Sequence, residues 1–184
     1  KNNSLLRVLQ IYECLNIDLQ GISLEFGATS NRDKTFSNFV MGKSKFHYSN
    51  KISNKKMDIF YSDLTKKLKI PTKKYNNILL FNVLEHLPEY KFAFLEIYKI
   101  LKKKGNLIGS TPFIYQIHAA PKDYFRFSKQ FFELNLKKYK FKKVKVKSLG
   151  FGPFTASYSL LFPYLKYLPF FSQLCLLLAY ILDS

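Results

Sequence analysis

Residues 22–30 have the sequence Ile-Ser-Leu-Glu-Phe-Gly-Ala-Thr-Ser, and this segment is the first indication of the fold class. Its first five residues form a short apolar segment that predicts a β-strand. Gly27 follows, a residue that can adopt a positive φ in a tight turn. In a parallel α/β sheet a ligand-binding crevice opens at the carboxyl ends of the strands, where such a turn lies. If this turn belongs to a parallel sheet, the rest of the sequence should contain further strands.

Further strand-like and helical segments alternate along the chain. Short apolar runs predict four more strands, at 45–49, 57–61, 77–81 and 106–109. Apolar residues at helical spacing predict helices at 4–16 with Ser4 as N-cap, at 90–102 with Gly105 just beyond, and at 129–138. Between 141 and 149 lysines alternate with Val144 and Val146, which predicts a last, half-exposed strand. Strands that alternate with longer connections favour an α/β fold with a parallel sheet.

The composition is that of a folded and strongly basic protein. The 184 residues are 47% hydrophobic and 17% aromatic, enough for the core of one domain, and this excludes a disordered chain. The net charge of +18 favours a polyanionic partner such as nucleic acid or an acidic membrane. Only Arg7, Arg32 and Arg126 among the 30 basic residues are arginines, however, and a reader of nucleic acid would favour arginine. Nucleic acid is thus a disfavoured partner.

The two cysteines and the first residues indicate a reducing compartment. Cys14 and Cys175 lie in apolar surroundings, far apart in sequence and without a second cysteine nearby, so we expect buried thiols and no metal site. The first residues lack the apolar run of a signal peptide, and a cytoplasmic location is expected.

The sequence after residue 155 differs in kind from the rest of the chain. Lys166 is the one charged residue between 156 and 182, a segment rich in Leu, Phe and Tyr. We therefore divide the chain into a domain at 1–155 and a hydrophobic helical extension at 156–184. Pro163, Pro169 and Lys166 interrupt the extension, so a membrane-spanning helix is not expected. Two alternatives remain: a hairpin packed on the domain or on a second copy in a homodimer, and an interfacial helix on an anionic membrane, which we favour slightly.

Four segments resemble, in order and spacing, the class I S-adenosylmethionine-dependent methyltransferases. They are residues 24–30, 58–64, 77–87 and 101–108, and the most specific is Phe-Asn-Val-Leu-Glu-His-Leu at 81–87. The resemblance covers residues 4–150. It implies a Rossmann-like, seven-stranded and mostly parallel sheet with helices on both faces, and it implies S-adenosylmethionine as cofactor.

The resemblance also implies which residues bind the cofactor. Glu25 and Gly27 would lie by its methionine part, Asp63 would face the adenine, and Asn82 with Val83 would line the floor near the transferred methyl group. Asn50 stands where the family has a ribose-binding acid, and its amide can bond one hydroxyl. Each residue also has a structural alternative: Glu25 as a surface carboxylate, Val83 as a core side chain. His86 is expected to pack near the cofactor, and His47 to be incidental.

Residues 118–127, His-Ala-Ala-Pro-Lys-Asp-Tyr-Phe-Arg-Phe, resemble a subgroup of these methyltransferases associated with cell-surface polysaccharide or lipid biosynthesis. Methyl transfer to a hydroxyl requires an aligned acceptor and removal of a proton. His118 is the expected general base and Asp123 the residue that orients it. Arg126 could bind a phosphate or carboxylate, and Tyr124 could stack on a sugar. Alternatively, Asp123 and Arg126, three residues apart, bridge or cap the following helix.

These predictions describe an O-methyltransferase for a saccharide or lipid-linked precursor of the cell envelope, cytoplasmic and peripheral to the inner membrane face. Two alternatives stay open. The positive charge favours an RNA methyltransferase, and the single glycine of the 27–30 turn favours a non-catalytic interaction module that keeps the fold without the cofactor.

Overall fold

The computed structural model describes residues 3–29, 35–118 and 122–184. Its five helices are α1 (Leu5–Cys14), α2 (Tyr90–Ile100), α3 (Lys129–Lys138), α4 (Pro153–Leu165) and α5 (Pro169–Leu182). Its five strands are β1 (Gly21–Phe26), β2 (Ser44–Asn50), β3 (Ile59–Tyr61), β4 (Tyr75–Phe81) and β5 (Leu101–Ser110). The turn after β4 includes a short 3₁₀ helix, Leu84–His86.

All strand pairs are parallel, in the order β3-β2-β1-β4-β5. The chain therefore runs outward on one side of β1 from β2 to β3, and on the other side from β4 to β5. At such a reversal the crossover connections leave opposite faces of the sheet, so a crevice opens between the carboxyl ends of β1 and β4. The α/β fold with a parallel sheet is confirmed.

The five strands predicted between residues 22 and 109 are present, with their ends moved by a few residues. Side chains on both faces of β1 and β4 are buried, among them Leu24, Ile78 and Leu79. Helix α2 packs Phe94 and Ile97 into the same core. Continuous apolar runs are typical of strands covered on both faces, which explains why the sequence identified them.

Helix α1 is confirmed with its cap, because the Ser4 hydroxyl accepts a hydrogen bond from the amide of Arg7. The face that it buries differs from the predicted apolar stripe. Gln10 and Cys14 are buried, whereas Val8 and Tyr12 are largely exposed. Polar contacts of Gln10, described below, set the rotation of this helix.

Helix α2 ends at Ile100, two residues before the predicted end, because Leu101 already pairs with Tyr75 as the start of β5. The predicted role of Gly105 just beyond the helix is thus wrong, since Gly105 lies inside the strand. The ladder is irregular there: Tyr75 pairs with Leu101 but Asn77 pairs with Asn106.

The sheet has five strands among the described residues, and the seven implied by the resemblance are not found. The predicted strand at 141–149 is wrong, because this segment is irregular, with Lys143 at a φ of +55°, and does not join the ladder. Lys147 instead places its Nζ 2.6 Å from the Glu13 carboxylate of α1. Alternation predicts a half-buried extended segment but does not specify a hydrogen-bonding partner for its backbone.

Helices α4 and α5 form an antiparallel hairpin. The Asp183 carboxylate, after the end of α5, accepts hydrogen bonds from the amides of Phe154 and Thr155 at the start of α4. Between the helices the Tyr158 and Ser172 hydroxyls lie 2.8 Å apart. Much of the remaining surface of the hairpin is exposed and apolar. Among the described residues, no helix combines the length and the apolar character needed to cross a membrane.

Candidate active site

Gly27 lies in the crevice at the carboxyl ends of β1 and β4, and its φ of +77° confirms the predicted positive value. A Cβ atom at this position would lie 2.6 Å from Cγ2 of Val83, so the tip of β1 approaches the turn after β4 too closely for any side chain. The amides of Gly27 and Ala28 donate hydrogen bonds to the Ser49 carbonyl of β2. The structure thus brings two of the predicted cofactor residues, Gly27 and Val83, together. Ser30, the end of the predicted turn, lies outside the described residues.

Asn50 and Asp63 provide polar groups at the ends of β2 and β3. The Asn50 amide nitrogen donates to the carbonyl oxygen of Ala28 at 2.7 Å, which supports the Gly27 turn. Oδ1 of Asp63 accepts from the amide and hydroxyl of Thr65 and lies 3.3 Å from Nζ of Lys51. Burial raises the pKa of Asp63, but the Thr65 hydrogen bonds and the Lys51 charge outweigh it and lower the pKa. Asp63 is therefore a carboxylate at neutral pH.

Glu25 is buried, so the surface alternative is wrong for this residue. Its two carboxylate oxygens accept hydrogen bonds from the amides of Phe36 and Ser37, at 2.8 and 2.9 Å. The Phe36 ring stacks on Phe81 at the end of β4, and the Arg7 guanidinium lies 3.7 Å from the centroid of the Phe36 ring. Burial raises the pKa of Glu25, and the hydrogen bonds from Ser37 and Phe36 oppose this. Glu25 thus holds the Phe36–Ser37 backbone against the end of β1.

Asn82 follows β4 with a φ of +53°, a left-handed conformation that asparagine tolerates better than most residues. Its side-chain amide pairs reciprocally with that of Gln10 on α1, through contacts of 2.8 and 3.2 Å. Gln10 also donates to the Ser110 hydroxyl at the end of β5. Helix α1 is thereby fixed over the carboxyl ends of both strands. No sequence pattern identified Gln10, which lies on the helix outside the apolar stripe.

A cavity of about 160 Å³ opens beside Asn82. Its lining includes Arg7, Gln10, Asn82, Glu85, Tyr115 and His118. Of the two predicted catalytic residues, His118 borders this cavity together with Asn82, whereas Asp123 borders a second cavity.

Asp123 is the centre of a charged network that includes His118 and Arg126. Its Oδ2 lies 3.2 Å from Nδ1 of His118 and accepts a hydrogen bond from the His118 amide. The Arg126 guanidinium binds both Asp123 oxygens, at 2.5 and 2.6 Å, and also donates to backbone carbonyls, among them that of Gln116. Hydrogen bonds from Arg126, opposed by burial, hold the pKa of Asp123 well below its usual range. The alternative of an i, i+3 bridge is confirmed for this pair, while the cap of α3 is Ser128.

Tyr124 borders a second cavity, of about 480 Å³, on the other side of this network. Apolar side chains contribute much of its lining, including Phe113, Ile114, Phe125 and Leu160 of α4. Tyr124 is 44% exposed and is tied to the 3₁₀ helix after β4, because its amide donates to the Glu85 carbonyl. The structure therefore places the predicted sugar-stacking residue beside an apolar cavity. Pro121 of the quoted motif lies outside the described residues.

Glu85 and His86 are adjacent residues of the 3₁₀ helix after β4, and sequence reasoning missed the first. The Glu85 side chain is fully buried, and neither carboxylate oxygen has a hydrogen-bond partner among residues 3–29, 35–118 and 122–184. Burial raises the pKa of Glu85 to about 7, and the charge of Asp123 acts in the same direction. The His86 ring packs edge-on against that of His118, with centroids 5.0 Å apart. His47, the remaining histidine, is bonded to the Tyr75 hydroxyl away from this cluster.

Comparison with protein families matches residues 5–109 to a family described as a methyltransferase domain. The match covers more than half of the chain, and the chain belongs to this family. A search of curated protein sequences finds no match.

Solved structures of methyltransferases share the fold at low sequence identity. Phosphoethanolamine N-methyltransferase 2 of Haemonchus contortus, in complex with phosphomonomethylethanolamine and S-adenosylhomocysteine, has a TM-score of 0.60 at 11% identity over 97% of this chain and 47% of that chain. A SAM-dependent methyltransferase of Thermotoga maritima has a TM-score of 0.53 and 17% sequence identity, over 75% of this chain and 71% of that chain. The Haloferax volcanii complex of the Trm112 activator and a methyltransferase has a TM-score of 0.55 and 10% sequence identity, over 73% of this chain and 68% of that chain.

S-adenosylmethionine is therefore the cofactor, and the residues at the crevice fit it. Ribose hydroxyls and the adenine amino group donate hydrogen bonds, and the side chains of Asn50 and Asp63 offer oxygen acceptors. Gly27, where a Cβ would collide with Val83, allows close approach to the backbone. When bound, the cofactor supplies an electrophilic methyl group on a sulfonium.

Proposed function

We propose that the chain methylates a hydroxyl of a saccharide or lipid-linked precursor of the cell envelope, with His118 as the general base. The observation that carries the proposal is the contact of His118 with Asp123 at the edge of the cavity that Asn82 also lines. A base has to lie within reach of the acceptor hydroxyl, and this cavity is next to the carboxyl end of β4.

The hydrogen bonding of His118 selects the protonation state that a base requires. Nδ1 of His118 faces two acceptors, the ionised Asp123 carboxylate at 3.2 Å and the Gln116 carbonyl at 3.4 Å, so in the neutral imidazole Nδ1 is the nitrogen that carries the proton. Nε2 then keeps its lone pair and can take the proton of the acceptor. Arg126 acts on Asp123 rather than on a ligand, since its guanidinium is engaged by that carboxylate and by backbone carbonyls.

The second cavity supports an acceptor that carries a hydrocarbon chain. It adjoins Asp123 and Arg126 on one side and Leu160 of the apolar hairpin on the other. An acceptor with a polar head beside His118 and its chain among Phe113, Ile114 and Phe125 would satisfy both cavities. The lining of the polar cavity includes Arg7 but no lysine among the described residues, which favours a small acceptor over RNA.

One observation favours a second candidate, the non-catalytic interaction module. Both Glu25 oxygens are bound by the amides of Phe36 and Ser37, and Gln10 holds the Asn82 side chain. If these contacts persist in solution, the methionine part of the cofactor has less room. A calorimetric titration of the folded chain with S-adenosylmethionine separates this candidate, which does not bind the cofactor, from an O-methyltransferase and from an RNA methyltransferase, which do.

The activity test uses radiolabelled S-adenosylmethionine with three acceptors offered separately: envelope lipid extract, soluble glycans and RNA. We expect label in the lipid or glycan fraction. The variant His118→Gln should reduce the rate by about 10²–10⁴-fold while cofactor affinity changes little. His47→Gln is the matched control and should keep the wild-type rate, because His47 lies away from the cavity. Label in RNA alone, or unchanged turnover in His118→Gln, contradicts the proposal.

We further propose that the hairpin of α4 and α5 lies in the headgroup region of an anionic membrane. Phe170 is 87% exposed and Tyr167 76% exposed at the turn between the helices, and the basic chain would be attracted to anionic lipid. The full chain should float with anionic vesicles at low salt. Phe170→Asp should reduce flotation, whereas Leu134→Asp, an equally drastic change at an exposed site on α3, should not. Equal flotation of both variants contradicts membrane binding through the hairpin.

A further inference from the structure

We propose that Glu85, His86 and His118 form a binding site for a divalent transition metal ion such as Zn²⁺. One ligand atom from each of these residues lies within 4.8 Å of the others. Two imidazoles and one carboxylate are donors that Zn²⁺ prefers, and three protein ligands leave a position open. The sequence alone does not indicate this site, because His118 lies more than 30 residues after Glu85 and His86 in the chain.

Glu85 gives the first independent reason to assign a cation here. Its carboxylate is fully buried, and no group within the described residues hydrogen-bonds to either oxygen. Buried carboxylates are normally paired, hydrogen-bonded or bound to metal. The Glu85 oxygen Oε1 lies 3.8 Å from Nε2 of His86, with no hydrogen bond between them. A cation bound by both side chains would satisfy the carboxylate.

The two histidines give the second reason, because each is held by an oxygen acceptor on Nδ1. Nδ1 of His86 lies 2.6 Å from the Lys122 carbonyl, and Nδ1 of His118 lies 3.2 Å from the Asp123 carboxylate. A carbonyl and an ionised carboxylate can only accept, so both Nδ1 atoms carry the proton and both Nε2 atoms keep their lone pairs. Metal-binding histidines are typically oriented in this way, by a second acceptor behind the ring.

The site is accessible from solvent through the cavity beside Asn82, since Glu85 and His118 both line it. Its protein ligands would occupy three positions of a tetrahedral ion, and the cavity supplies room for the fourth. Binding does not depend on the proposed function. One consequence does rest on it: the ion and a proton compete for Nε2 of His118, so a bound ion suppresses the action of His118 as a base.

The test is a titration of the cofactor-free chain with Zn²⁺ alone, followed by calorimetry, in a Cys175→Ser background that removes the less buried thiol. We expect one ion per chain. The variants Glu85→Gln, His86→Gln and His118→Gln should each weaken binding by at least 10-fold. His47→Gln is the matched control and should bind as the parent does. Circular dichroism checks the fold of every variant.

Co²⁺ gives a second readout that depends on coordination rather than on heat. The parent chain should show the visible absorption of a low-coordinate Co²⁺ site, and this absorption should be absent in His86→Gln and His118→Gln. Should Glu85→Gln fail to fold, the two histidine variants decide, because their rings are partly exposed. No binding of Zn²⁺ by the parent at micromolar concentration, or unchanged binding in both histidine variants, overturns the proposal. Because neither readout needs turnover, a chain without methyltransferase activity can still pass this test.

Discussion

The two ends of the site are constructed differently. At the proposed cofactor end, Gly27, Asn50 and Asp63 contact mainly backbone atoms and near neighbours, such as the Ala28 carbonyl and the Thr65 amide. At the proposed acceptor end, Asp123 joins His118 to Arg126, and Glu85 is a buried carboxylate that has no hydrogen bond from the described residues. Local backbone geometry positions the side chains of the first end, and interactions between buried charges position those of the second.

From this contrast we expect substitutions at the two ends to have different effects on stability. A hydrogen bond to the backbone contributes modestly to stability, whereas a buried charge that loses its partner costs several times more. Loss of a charge near Asp123 should therefore alter folding, and loss of a hydrogen-bonding side chain such as Asp63 should alter mainly ligand affinity.

The largest effect is expected for Asp123→Ala. It leaves the mostly buried Arg126 guanidinium without its carboxylate and the His118 amide without an acceptor. The free energy of unfolding should fall by about 3 kcal/mol, measured by denaturant unfolding. Glu133→Ala is the control, since Glu133 forms an exposed pair with Lys129, and its effect should stay below about 0.5 kcal/mol. Equal effects of the two variants would contradict a network based on buried charge.

Glu85 should make stability depend on pH. Its pKa is about 7 in the folded chain, above the ordinary value of 4.5, through burial and the nearby Asp123, with Arg126 opposing. Between these two pH values the folded chain holds a proton that the unfolded chain releases, so stability falls as pH rises from about 4.5 to about 7. The loss should be about 3 kcal/mol in a metal-chelating buffer, and Glu85→Gln should abolish it.

Unfolding curves for the two proteins from pH 4.5 to 8 check this prediction. Parallel pH profiles for the wild type and Glu85→Gln would show that Glu85 does not titrate in this range.

The sequence predicted the strands and the Gly27 turn well, and the surroundings of Asn82 and Asp123 only in part. Strands with two buried faces leave continuous apolar runs, and the Gly27 turn has its signal in one residue. Gln10 and Glu85 left no such signal. Gln10 reaches Asn82 and Ser110, which are 72 and 100 residues further along the chain, and Glu85 is distinguished only by its burial. Contacts over such distances arise from packing, which no local pattern encodes.

Gly27→Ala should have an intermediate effect. The new methyl group meets Cγ2 of Val83, and alanine is strained at a φ of +77°. We expect a loss of about 2 kcal/mol in unfolding free energy, together with weaker cofactor binding. The double variant Gly27→Ala with Val83→Ala should recover part of the loss, because it removes the collision but not the strain. The absence of any recovery would mean that backbone strain alone limits this position.

The smallest effect is expected for Asp63→Ala. Removing this carboxylate should weaken S-adenosylmethionine binding by about 1 kcal/mol, roughly five-fold, with little change in stability. Thr65→Val is the control: it removes one hydrogen bond to Oδ1 of Asp63 but keeps the carboxylate. Cofactor affinity that does not change in Asp63→Ala would place the adenine elsewhere.

A calorimetric titration of the wild-type chain with S-adenosylmethionine and with S-adenosylhomocysteine tests most directly the claim that this chain is an S-adenosylmethionine-dependent enzyme. We predict one site per chain for both compounds, with affinity reduced in Gly27→Ala. The absence of heat at millimolar cofactor, from a chain that circular dichroism shows to be folded, would contradict the claim and favour the non-catalytic module.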